Sequence, residues 1–440
     1  MISLMKTRLS VFFLVLFIQI GYSQTIDKVK LDHYLQTLEA NNKFMGSVAI
    51  ARDGKVLYTK AIGFRVVEDK LKPNESTKYR IGSISKTFTA ALLFKAIEEK
   101  KIDLAQTLDK YFPTVKYADR ITMGHLLNHH SGIHNFTNDA DYSKWYTQLK
   151  REAEMVTLIS ALASDFEPGS KAAYSNSNYV LLTYVLQKLY KKSYAEILEE
   201  SIIKPLGLKN TYYGGKIDKA NNESFSYQFN SEWIKQEETD MSIPAGAGAI
   251  VSTPTDLTSF AHALFNGKIV SAESLEKMKT IQDGYGMGLF EAPFHQKKSY
   301  GHNGGIDGFS SNFGYFPEDK VAIALTSNGS AYDNNKISLA LLSSVFNKPY
   351  ELPVFITLNT EDLDQYLGIY SAKNFPLKIT ISKSDHILMG QATGQPSFKL
   401  DATAKHVFNF DQAGLVMHFN PETKEMTLKQ GGRDFLLFKE

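Results

Sequence analysis

The chain has 440 residues, of which 43% are hydrophobic and 22% are charged, so its composition is that of a folded protein with a large core. Its formal net charge is +2, from 49 basic and 47 acidic residues, which excludes the basic excess typical of a nucleic-acid-binding protein. It contains no cysteine, which excludes both a disulfide framework and the lipidated cysteine of a bacterial lipoprotein.

The first 23 residues have the pattern of a secretory signal peptide. Lys6 and Arg8 precede an apolar run from Leu9 to Ile20, and small or polar residues follow as far as Ser23. The run is shorter than the roughly 20 residues that a membrane-spanning helix requires. We therefore expect cleavage after Ser23, export to the periplasm or the medium, and no transmembrane anchor in the mature chain.

The predicted elements begin with a hairpin over residues 45–64, in which two alternating segments flank the turn sequence RDG. Helical periodicity follows, and strand patterns return later in the chain. The predicted helices cover residues 83–99, 121–128, 154–164, 176–190, 194–203, 253–265 and 334–346, and the predicted strands cover 298–303, 309–316 and 321–327. This order predicts an α+β domain whose first and last strands share one antiparallel sheet, flanked by helices and a helical subdomain.

The end of the chain has a different pattern. After about residue 360, short alternating segments are separated by turn residues, which is typical of a small antiparallel β-barrel. We therefore expect a signal peptide at 1–23, the α+β domain at 24–348, a linker at 349–359 and a lipocalin-like β-barrel at 360–440. The sequence assigns no chemistry to this barrel.

The sequence SISK places Ser83 three residues before Lys86, at the start of a predicted helix. Positions i and i+3 are neighbours on one helix face, so the hydroxyl and the amine can lie together. A lysine can activate a serine as a base when burial or a nearby cation disfavours its charged form. Taken alone, the pattern is better explained by an N-cap serine and a solvated lysine.

Two further motifs follow at wide spacing. Tyr174 and Asn176, in YSN, can share a proton with a lysine and hold a substrate carbonyl. The motif HNGG lies on a predicted strand, where glycine removes side chains from the path of a substrate. His302 can face the cleft, and the Gly305 N–H can pair with that of Ser83 as an oxyanion hole. Taken alone, these motifs are better explained by a packed tyrosine, a helix cap and a tight turn.

Together and in this order, the three motifs resemble the S-x-x-K, Y-x-N and H-x-G motifs of the serine β-lactamase and penicillin-binding protein family. The flanking sequences LLNHHSGI, PLGLKNTYY and GAGAIVSTPTDLTSF are similar to further motifs of that family. The most similar branch contains class C β-lactamases, serine DD-peptidases and related esterases. The resemblance covers residues 30–346 and implies the β-lactamase/transpeptidase fold.

The resemblance also implies a mechanism that proceeds through an acyl-enzyme. Ser83 is then the nucleophile, and Lys86 and Tyr174 handle the protons, with either of them as the acylation base. Asn176 orients the substrate, and the backbone amides of Ser83 and Gly305 bind the oxyanion. The substrate-binding residues that the resemblance implies are Asn176, His302, Asn303, Gly304 and Gly305.

Position 302 departs from the β-lactamases of this branch, which usually carry a lysine there. Histidine, with a reference pKa of about 6.5, is mostly neutral at pH 7 and lacks the fixed charge that attracts the carboxylate of a β-lactam. The expected function is therefore an exported serine hydrolase that acts on a D-amino-acid type of peptide or on an ester. The open alternatives are a true β-lactamase and a non-catalytic relative that binds penicillin or peptidoglycan.

We expect no cofactor and no metal, and the expected partner is a small-molecule or peptide substrate that could derive from the cell wall. His125 and His129 are four residues apart, but no glutamate follows His125 and a third ligand is missing from the pattern. Aromatic residues gather at 142–146 and again at 225–233. They could line the substrate pocket or simply pack within long loops, and the sequence does not choose between these two interpretations.

Overall fold

The computed structural model describes residues 26–440, so the predicted signal peptide lies outside it. The helices are α1 Lys28–Ala40, α2 Ser85–Glu98, α3 Met123–Leu127, α4 Glu152–Ala161, α5 Asn176–Tyr190, α6 Tyr194–Leu198, α7 Lys204–Leu206, α8 Pro254–Phe265, α9 Ala272–Lys279 and α10 Asn334–Val345. The strands are β1 Phe44–Arg52, β2 Lys55–Ile62, β3 Tyr79–Arg80, β4 Tyr212–Tyr213, β5 Tyr227–Asn230, β6 Glu232–Lys235, β7 Ile250–Ser252, β8 Phe290–Phe294, β9 Lys297–Ile306, β10 Phe309–Phe316, β11 Val321–Ser330, β12 Gly368–Ala372, β13 Phe375–Ser384, β14 Ile387–Ala392, β15 Phe398–Ala404, β16 Val407–Phe410, β17 Leu415–Asn420, β18 Glu425–Gln430 and β19 Arg433–Lys439. Within residues 26–440, no helix is long and apolar enough to cross a membrane.

The main sheet joins the start of the domain to its end, as the α+β prediction requires. Its six antiparallel strands have the order β2-β1-β11-β10-β9-β8. Alternate side chains of β11 face two different cores, because a strand directs successive residues to opposite faces. Ile323 and Leu325 pack towards α1 and α10, whereas Ala322 and Ala324 pack towards α2 and α8. Helices therefore cover both faces of the sheet.

The helical region is organised around α2, which is apolar on nearly every side and buried along most of its length. Phe88 of α2 stacks on Phe260 of α8, with ring centroids 3.7 Å apart. The helix predicted at 83–99 does not begin as an α-helix, because Gly82–Ile84 forms a 3-10 turn before α2. This difference places Ser83 on the turn rather than within the regular helix.

The C-terminal strands β12 to β19 form a closed antiparallel barrel in chain order, which confirms the predicted barrel. β12 pairs with β19, and this contact closes the barrel. Aromatic side chains occupy the interior: the ring centroid of Tyr366 lies 5.0 Å from those of both Phe408 and Phe419. An eight-stranded barrel is just wide enough for side chains to fill it. The interior of this barrel is accordingly a packed core.

The barrel is attached to the first domain by ion pairs. Lys43, directly before β1, is only 3% exposed and forms an ion pair with Asp401 of β15. Lys336 of α10 forms a second pair with Asp411, with 2.6 Å between Nζ and Oδ1. Asp401 faces Asn409 across the β15–β16 hairpin and Asp411 directly follows β16, so both pairs hold the same hairpin and fix one side of the barrel.

Candidate active site

Ser83 lies on the 3-10 turn that joins β3 to α2. β3 pairs with β7, and this pairing fixes the start of the turn. Gly82 has a φ of +50°, and a Cβ there would lie 2.8 Å from both the backbone nitrogen and the backbone oxygen of Gly305. Only glycine adopts this conformation readily and also lets the turn approach β9 so closely. The turn therefore holds the half-buried Ser83 against the edge of the main sheet.

Lys86 extends from the first turn of α2 into the site and is 0% exposed. Its Nζ lies 3.0 Å from Ser83 Oγ, 2.7 Å from Asn176 Oδ1 and 2.7 Å from the carbonyl oxygen of Ala247. None of the ion pairs formed within residues 26–440 involves this amine. Burial lowers the pKa of Lys86 well below its usual range, because no carboxylate stabilises the charged form.

Tyr174 lies directly beside this amine. The Lys86 Nζ is 4.9 Å from the centre of the Tyr174 ring. Burial raises the pKa of the Tyr174 phenol, and a hydrogen bond with the Ser83 side chain partly opposes that rise. The phenol is therefore protonated at neutral pH, and it interacts with the Ser83 side chain as the Lys86 amine does. The structure brings together all three residues that were predicted to be catalytic.

The His129 ring packs against the ring of Tyr174. The two ring centroids are 4.5 Å apart, and His129 Nδ1 accepts hydrogen bonds from the Ser175 N–H at 3.2 Å and from Asn178 Nδ2 at 3.3 Å. Burial, and secondarily the charge of Lys86, lowers the pKa of His129 well below its usual value, so the ring is neutral. The histidine thereby fixes the residue that follows Tyr174 in the chain.

The other histidines of this segment have separate structural contacts. His125 Nδ1 accepts a hydrogen bond from the Thr122 N–H at the start of α3. His130 contacts Asp283, with 2.9 Å between Nε2 and Oδ2. α3 ends before His129, so the spacing of four residues does not place His125 and His129 on one helix. Among the described residues, no group of three or more His, Cys, Asp or Glu side chains is arranged to hold a metal ion.

The HNGG segment of β9 forms the wall opposite α5. β8 pairs with β9 only as far as Gly301, so the following residues have a free edge that faces the Ser83 turn. A Cβ on Gly304 would lie 2.0 Å from the Ile81 carbonyl oxygen and 3.0 Å from the Ser83 nitrogen. Gly304 therefore permits the close approach that brings the backbones of Ser83 and Gly305 together.

His302 is buried on this wall, whereas Asn303 is exposed. Burial, and secondarily the charge of Lys86, lowers the pKa of His302 to about 3, so its ring is neutral at physiological pH. Its Nδ1 donates to the carbonyl oxygen of Asn303 at 2.5 Å. The Asn303 side chain faces the same side of the strand as Gly305, because side chains alternate along β9.

A pocket of about 290 Å³ opens beside Ser83. The first of the two aromatic stretches contributes Tyr142 and Tyr146 to its lining, and Trp145 packs against Tyr142 with ring centroids 5.2 Å apart. The second stretch lies elsewhere, on the β5–β6 hairpin. The full lining consists of Ser83, Phe136, Thr137, Tyr142, Tyr146, Asn176, Thr239, Pro244, Ala247, Gly248, Gly305, Ile306 and Asp307.

A buried ion pair that the sequence analysis missed supports this pocket. Arg80 and Asp307 have side chains that are 2% and 1% exposed, and 2.9 Å separates Nη1 from Oδ2. Asp307 Oδ1 also accepts from the N–H and the hydroxyl of Thr239, at 3.0 and 2.6 Å. Arg80 precedes Ser83 by three residues and Asp307 follows Gly305 by two, so the pair links the two backbones of the expected oxyanion hole. The one signal in the sequence that could have indicated this pair is that Arg80 and Asp307 stand directly beside the SISK and HNGG motifs.

Comparison with known proteins agrees with this geometry. A model of the beta-lactamase family matches residues 31–342. The chain belongs to the beta-lactamase family. Penicillin-binding protein 4* of Bacillus subtilis (strain 168) is 26% identical over 357 residues, which cover 73% of this chain and 77% of that protein. Teichoic acid D-alanine hydrolase of Staphylococcus aureus (strain MRSA252) is 29% identical over 333 residues, which cover 73% of this chain and 79% of that protein.

Solved structures of beta-lactamase relatives share the fold. A D-stereospecific amidohydrolase from Streptomyces sp. is 30% identical, with a TM-score of 0.62 over 70% of this chain and 97% of that one. D-amino acid amidase from Ochrobactrum anthropi SV3 is 26% identical, with a TM-score of 0.64 over 72% and 99%. An octameric penicillin-binding protein homologue from Pyrococcus abyssi is 25% identical, with a TM-score of 0.67 over 94% and 100%. The predicted family, fold and serine-hydrolase class are confirmed, and the roles of single residues stay predictions.

Proposed function

We propose that this beta-lactamase family member is an exported hydrolase that forms an acyl-enzyme at Ser83 and acts on D-aminoacyl amides, peptides or esters. The observation that carries the proposal is the Lys86 amine, which is fully buried, has no carboxylate partner within the described chain and lies 3.0 Å from the Ser83 hydroxyl oxygen. A lysine in such surroundings loses its proton more readily than a lysine in water and can act as a base.

The contacts of Lys86 also orient its lone pair. A neutral amine has two N–H donors and one lone pair. The Asn176 Oδ1 and the Ala247 carbonyl can only accept, so they take both donors, at 2.7 Å each. The lone pair is then left for the Ser83 hydroxyl. This arrangement favours Lys86, rather than Tyr174, as the base that accepts the serine proton.

In the proposed acylation, Ser83 Oγ attacks the substrate carbonyl carbon while its proton passes to Lys86 Nζ. The N–H groups of Ser83 and Gly305 stabilise the oxyanion. The raised pKa of Tyr174 keeps its phenol protonated, so Tyr174 gives a proton to the leaving nitrogen or oxygen, and Lys86 returns its proton to Tyr174. In deacylation, water attacks the acyl carbon, its proton passes through Lys86, and Ser83 recovers a hydroxyl.

The proposed substrate class is supported by two observations. Relatives in this family include a D-amino acid amidase, a D-stereospecific amidohydrolase and a teichoic acid D-alanine hydrolase. In addition, burial of His302 leaves its wall without the fixed cation that would attract a β-lactam carboxylate. A dedicated β-lactamase and a non-catalytic penicillin-binding relative are therefore the alternatives that an experiment must separate from the proposed hydrolase.

The first experiment is intact-mass spectrometry of the mature chain with D-phenylalanine amide, an activated ester, a D-Ala-D-Ala peptide and a penicillin, with product release measured in the same samples. We expect turnover of the D-amino acid donors and an acyl adduct that is absent from Ser83→Ala. Ser231→Ala, an exposed serine on the β5–β6 hairpin, is the matched control and should react like the wild type. Hydrolysis that persists in Ser83→Ala would contradict the assignment of the nucleophile.

The other results separate the alternatives. A stable penicillin adduct without turnover of any donor would favour the binding relative, and fast turnover of penicillin alone would favour a β-lactamase. The export part of the proposal rests on residues 1–23 and has its own measurement. Expression in a bacterial host should yield a cell-envelope or medium fraction whose N-terminal residue is Gln24, and an uncleaved cytoplasmic product would contradict export.

A further inference from the structure

We propose that Tyr285 and Phe290 form a binding site for the leaving group of the substrate, and that this site selects uncharged aromatic amines and alcohols. The inference rests on the proposed function and deepens it, because it concerns the part of the substrate that acylation releases. The two half-buried rings lie beside Tyr174 and His302, and we call these four residues the ring wall. Tyr285 and Phe290 come from a segment that contains none of the three motifs.

The ring wall is separate from the pocket of about 290 Å³ beside Ser83, because none of its four residues belongs to the lining of that pocket. In the proposed mechanism Tyr174 gives its proton to the leaving nitrogen or oxygen, so the body of the leaving group lies next to the Tyr174 phenol. The leaving group then extends along the ring wall, and the acyl group extends the other way into the pocket.

The four rings of the wall contact one another in a closed circuit. The ring centroid of Tyr285 lies 6.4 Å from that of Tyr174 and 5.8 Å from that of Phe290. The Phe290 centroid lies 4.6 Å from that of His302, which is 6.5 Å from that of Tyr174. Tyr174, Tyr285 and Phe290 are each only partly buried, so ring surface is left for a substrate. A further aromatic ring packs favourably on such a surface, with centroids about 4.5–7 Å apart.

The segment that carries Tyr285 and Phe290 is fixed by its own contacts. The backbones of Gln282 and Tyr285 exchange two hydrogen bonds of 2.9 Å each. The Gly288 carbonyl accepts from the Thr87 hydroxyl of α2 at 2.7 Å, and a Cβ on Gly288 would lie 2.6 Å from the Ala90 Cβ of the same helix. The segment is therefore held against the helix that carries the proposed base. A site that is already ordered loses little entropy when a ligand binds.

The charges beside the ring wall disfavour a leaving group with a carboxylate. Residues 282–291 include two charged side chains, Asp283 and Glu291, and both are acids. Asp283 contacts His130, with 2.9 Å between Oδ2 and Nε2, and Glu291 pairs with Lys298 of β9 at 3.1 Å. Each of these cationic partners is therefore already opposed by a carboxylate of the segment.

The other basic groups near the wall do not supply a cation either. Lys297 of β9 pairs with Asp319 at 2.8 Å. Burial lowers the pKa of His302 to about 3 and lowers that of Lys86 well below its usual range, so both groups favour the neutral form. A carboxylate on the leaving group would lose water here without gaining an opposite charge, whereas an uncharged ring would gain apolar contact.

The test uses two pairs of substrates on the full mature chain, and all of them share one acyl group. The first pair is D-phenylalanine benzylamide and D-phenylalanine methylamide, and we expect kcat/KM to be about 10-fold or more higher for the benzylamide, because one ring leaves water. The second pair is D-phenylalanyl-D-phenylalanine amide and D-phenylalanyl-D-phenylalanine, which differ only at the terminal carboxylate. We expect kcat/KM to be about 10-fold or more higher for the uncharged member.

Variants locate the recognition at the wall. Tyr285→Ala and Phe290→Ala should each lower the benzyl-to-methyl ratio of kcat/KM by about threefold or more, whereas Tyr285→Phe keeps the ring and should keep the ratio. The two amines differ in reactivity, but that difference is the same for every variant, so a changed ratio reports the contact alone. Tyr190→Ala removes a half-buried tyrosine at the end of α5 and should leave the ratio unchanged.

Tyr146→Ala tests whether the two sides of the nucleophile are separate. It removes a ring from the acyl pocket, where the Tyr146 hydroxyl donates to Glu237 Oε2 at 2.9 Å, and should lower kcat/KM for both amides while their ratio stays constant. A ratio that falls as far as in Tyr285→Ala would contradict the inference.

The outcomes also separate the inference from the proposed function. If both members of either pair are hydrolysed through Ser83 at equal kcat/KM, the inference is wrong and the proposed function stands. If no donor reacts and Ser83 forms no adduct, both are wrong.

Discussion

Two regions of the molecule each bury a lysine, and they differ in whether a carboxylate pairs with the buried amine. At the junction with the barrel, Lys43 is 3% exposed and forms an ion pair with Asp401. In the site, Lys86 is 0% exposed and its contacts are a hydroxyl, an amide oxygen and a backbone carbonyl. Burial lowers the pKa of both amines, but the charge of Asp401 opposes this at Lys43 alone. A buried lysine with a carboxylate supports the fold, whereas one without a carboxylate is available as a base.

The largest effect that this contrast predicts is on catalysis. Lys86→Met should lower kcat/KM by about 10⁴-fold, because the serine loses the base that accepts its proton. Lys95→Met, on the same helix and only half-buried, should stay near the wild-type rate. Steady-state hydrolysis of D-phenylalanine amide measures both variants, and thermal unfolding establishes that each one is folded. A folded Lys86→Met variant that retains most of its activity would show that Lys86 is not the base, and would contradict the functional distinction drawn between Lys86 and Lys43.

The second effect is on stability. Lys43→Met leaves Asp401, whose side chain is 12% exposed, with only a contact of 3.9 Å to Lys399, and this should cost about 3 kcal/mol of unfolding free energy. Lys60→Met breaks a more exposed pair with Asp32 and should cost less than about 1 kcal/mol. Urea denaturation measures both variants.

The double variant Lys43→Met/Asp401→Asn sharpens the same point. It should recover part of the loss, because no unpaired charge remains, and kcat should stay unchanged in the folded fraction of all three proteins. An equal loss of stability in the Lys43 and Lys60 variants would contradict the structural role assigned to the junction pair.

A third and smaller effect is expected at His129, whose ring packs against Tyr174. His129→Phe keeps an aromatic ring there but removes the acceptor for the Ser175 N–H and for Asn178. We expect a loss of about 1–3 kcal/mol in stability, since two buried donors lose their partner. We also expect kcat to fall by about 10-fold as Tyr174 becomes less well positioned, with KM less affected. A variant that loses stability while kcat holds would restrict His129 to a structural role.

The smallest effect is expected at His302 and concerns the dependence of kcat/KM on pH. Because the pKa of Lys86 is lowered, its amine loses the proton at a lower pH than a free lysine, and kcat/KM should rise as pH increases through that pKa. His302, with a pKa of about 3, is already neutral there and should not shape this rise. His302→Gln should therefore change kcat/KM at pH 7 by no more than about threefold and leave the midpoint of the rise in place. A shifted midpoint in the pH profile of kcat/KM would show that His302 titrates with the site.

The sequence predicted best the elements with a long and regular pattern. α5 and β10 have the predicted bounds, and the residue alternation around RDG predicted the β1–β2 hairpin. α1, α9 and β8 were not predicted. β3, β4 and β7, of two or three residues each, pair only with one another across distant parts of the chain. Strands this short have no periodicity to detect, although one of them leads into the Ser83 turn.

The candidate site shows the same limit. The motifs predicted that Ser83, Lys86 and Tyr174 would meet, and the structure brings them together. The acceptor on Ala247 could not be predicted, because it is a backbone carbonyl and has no side-chain identity. Glu237 enters the site through a hydrogen bond to an aromatic residue 91 positions away. Motifs report residues whose chemistry is fixed by type, whereas these contacts depend on the folded path of the chain.

The pairing of β1 with β11 also determines how long β1 stays without its partner strand while the chain is being synthesised. β1 is complete once Arg52 has been made, but its central position in the sheet requires a partner that ends at Ser330. At about 5 to 20 residues per second of synthesis, the strand waits roughly 15 to 55 s for that partner. During this interval β1 is an apolar segment with one unpaired edge, which is a hazard for aggregation. Production of this protein should therefore depend on how well the growing chain is shielded until the first three quarters of it, as far as Ser330, have been made.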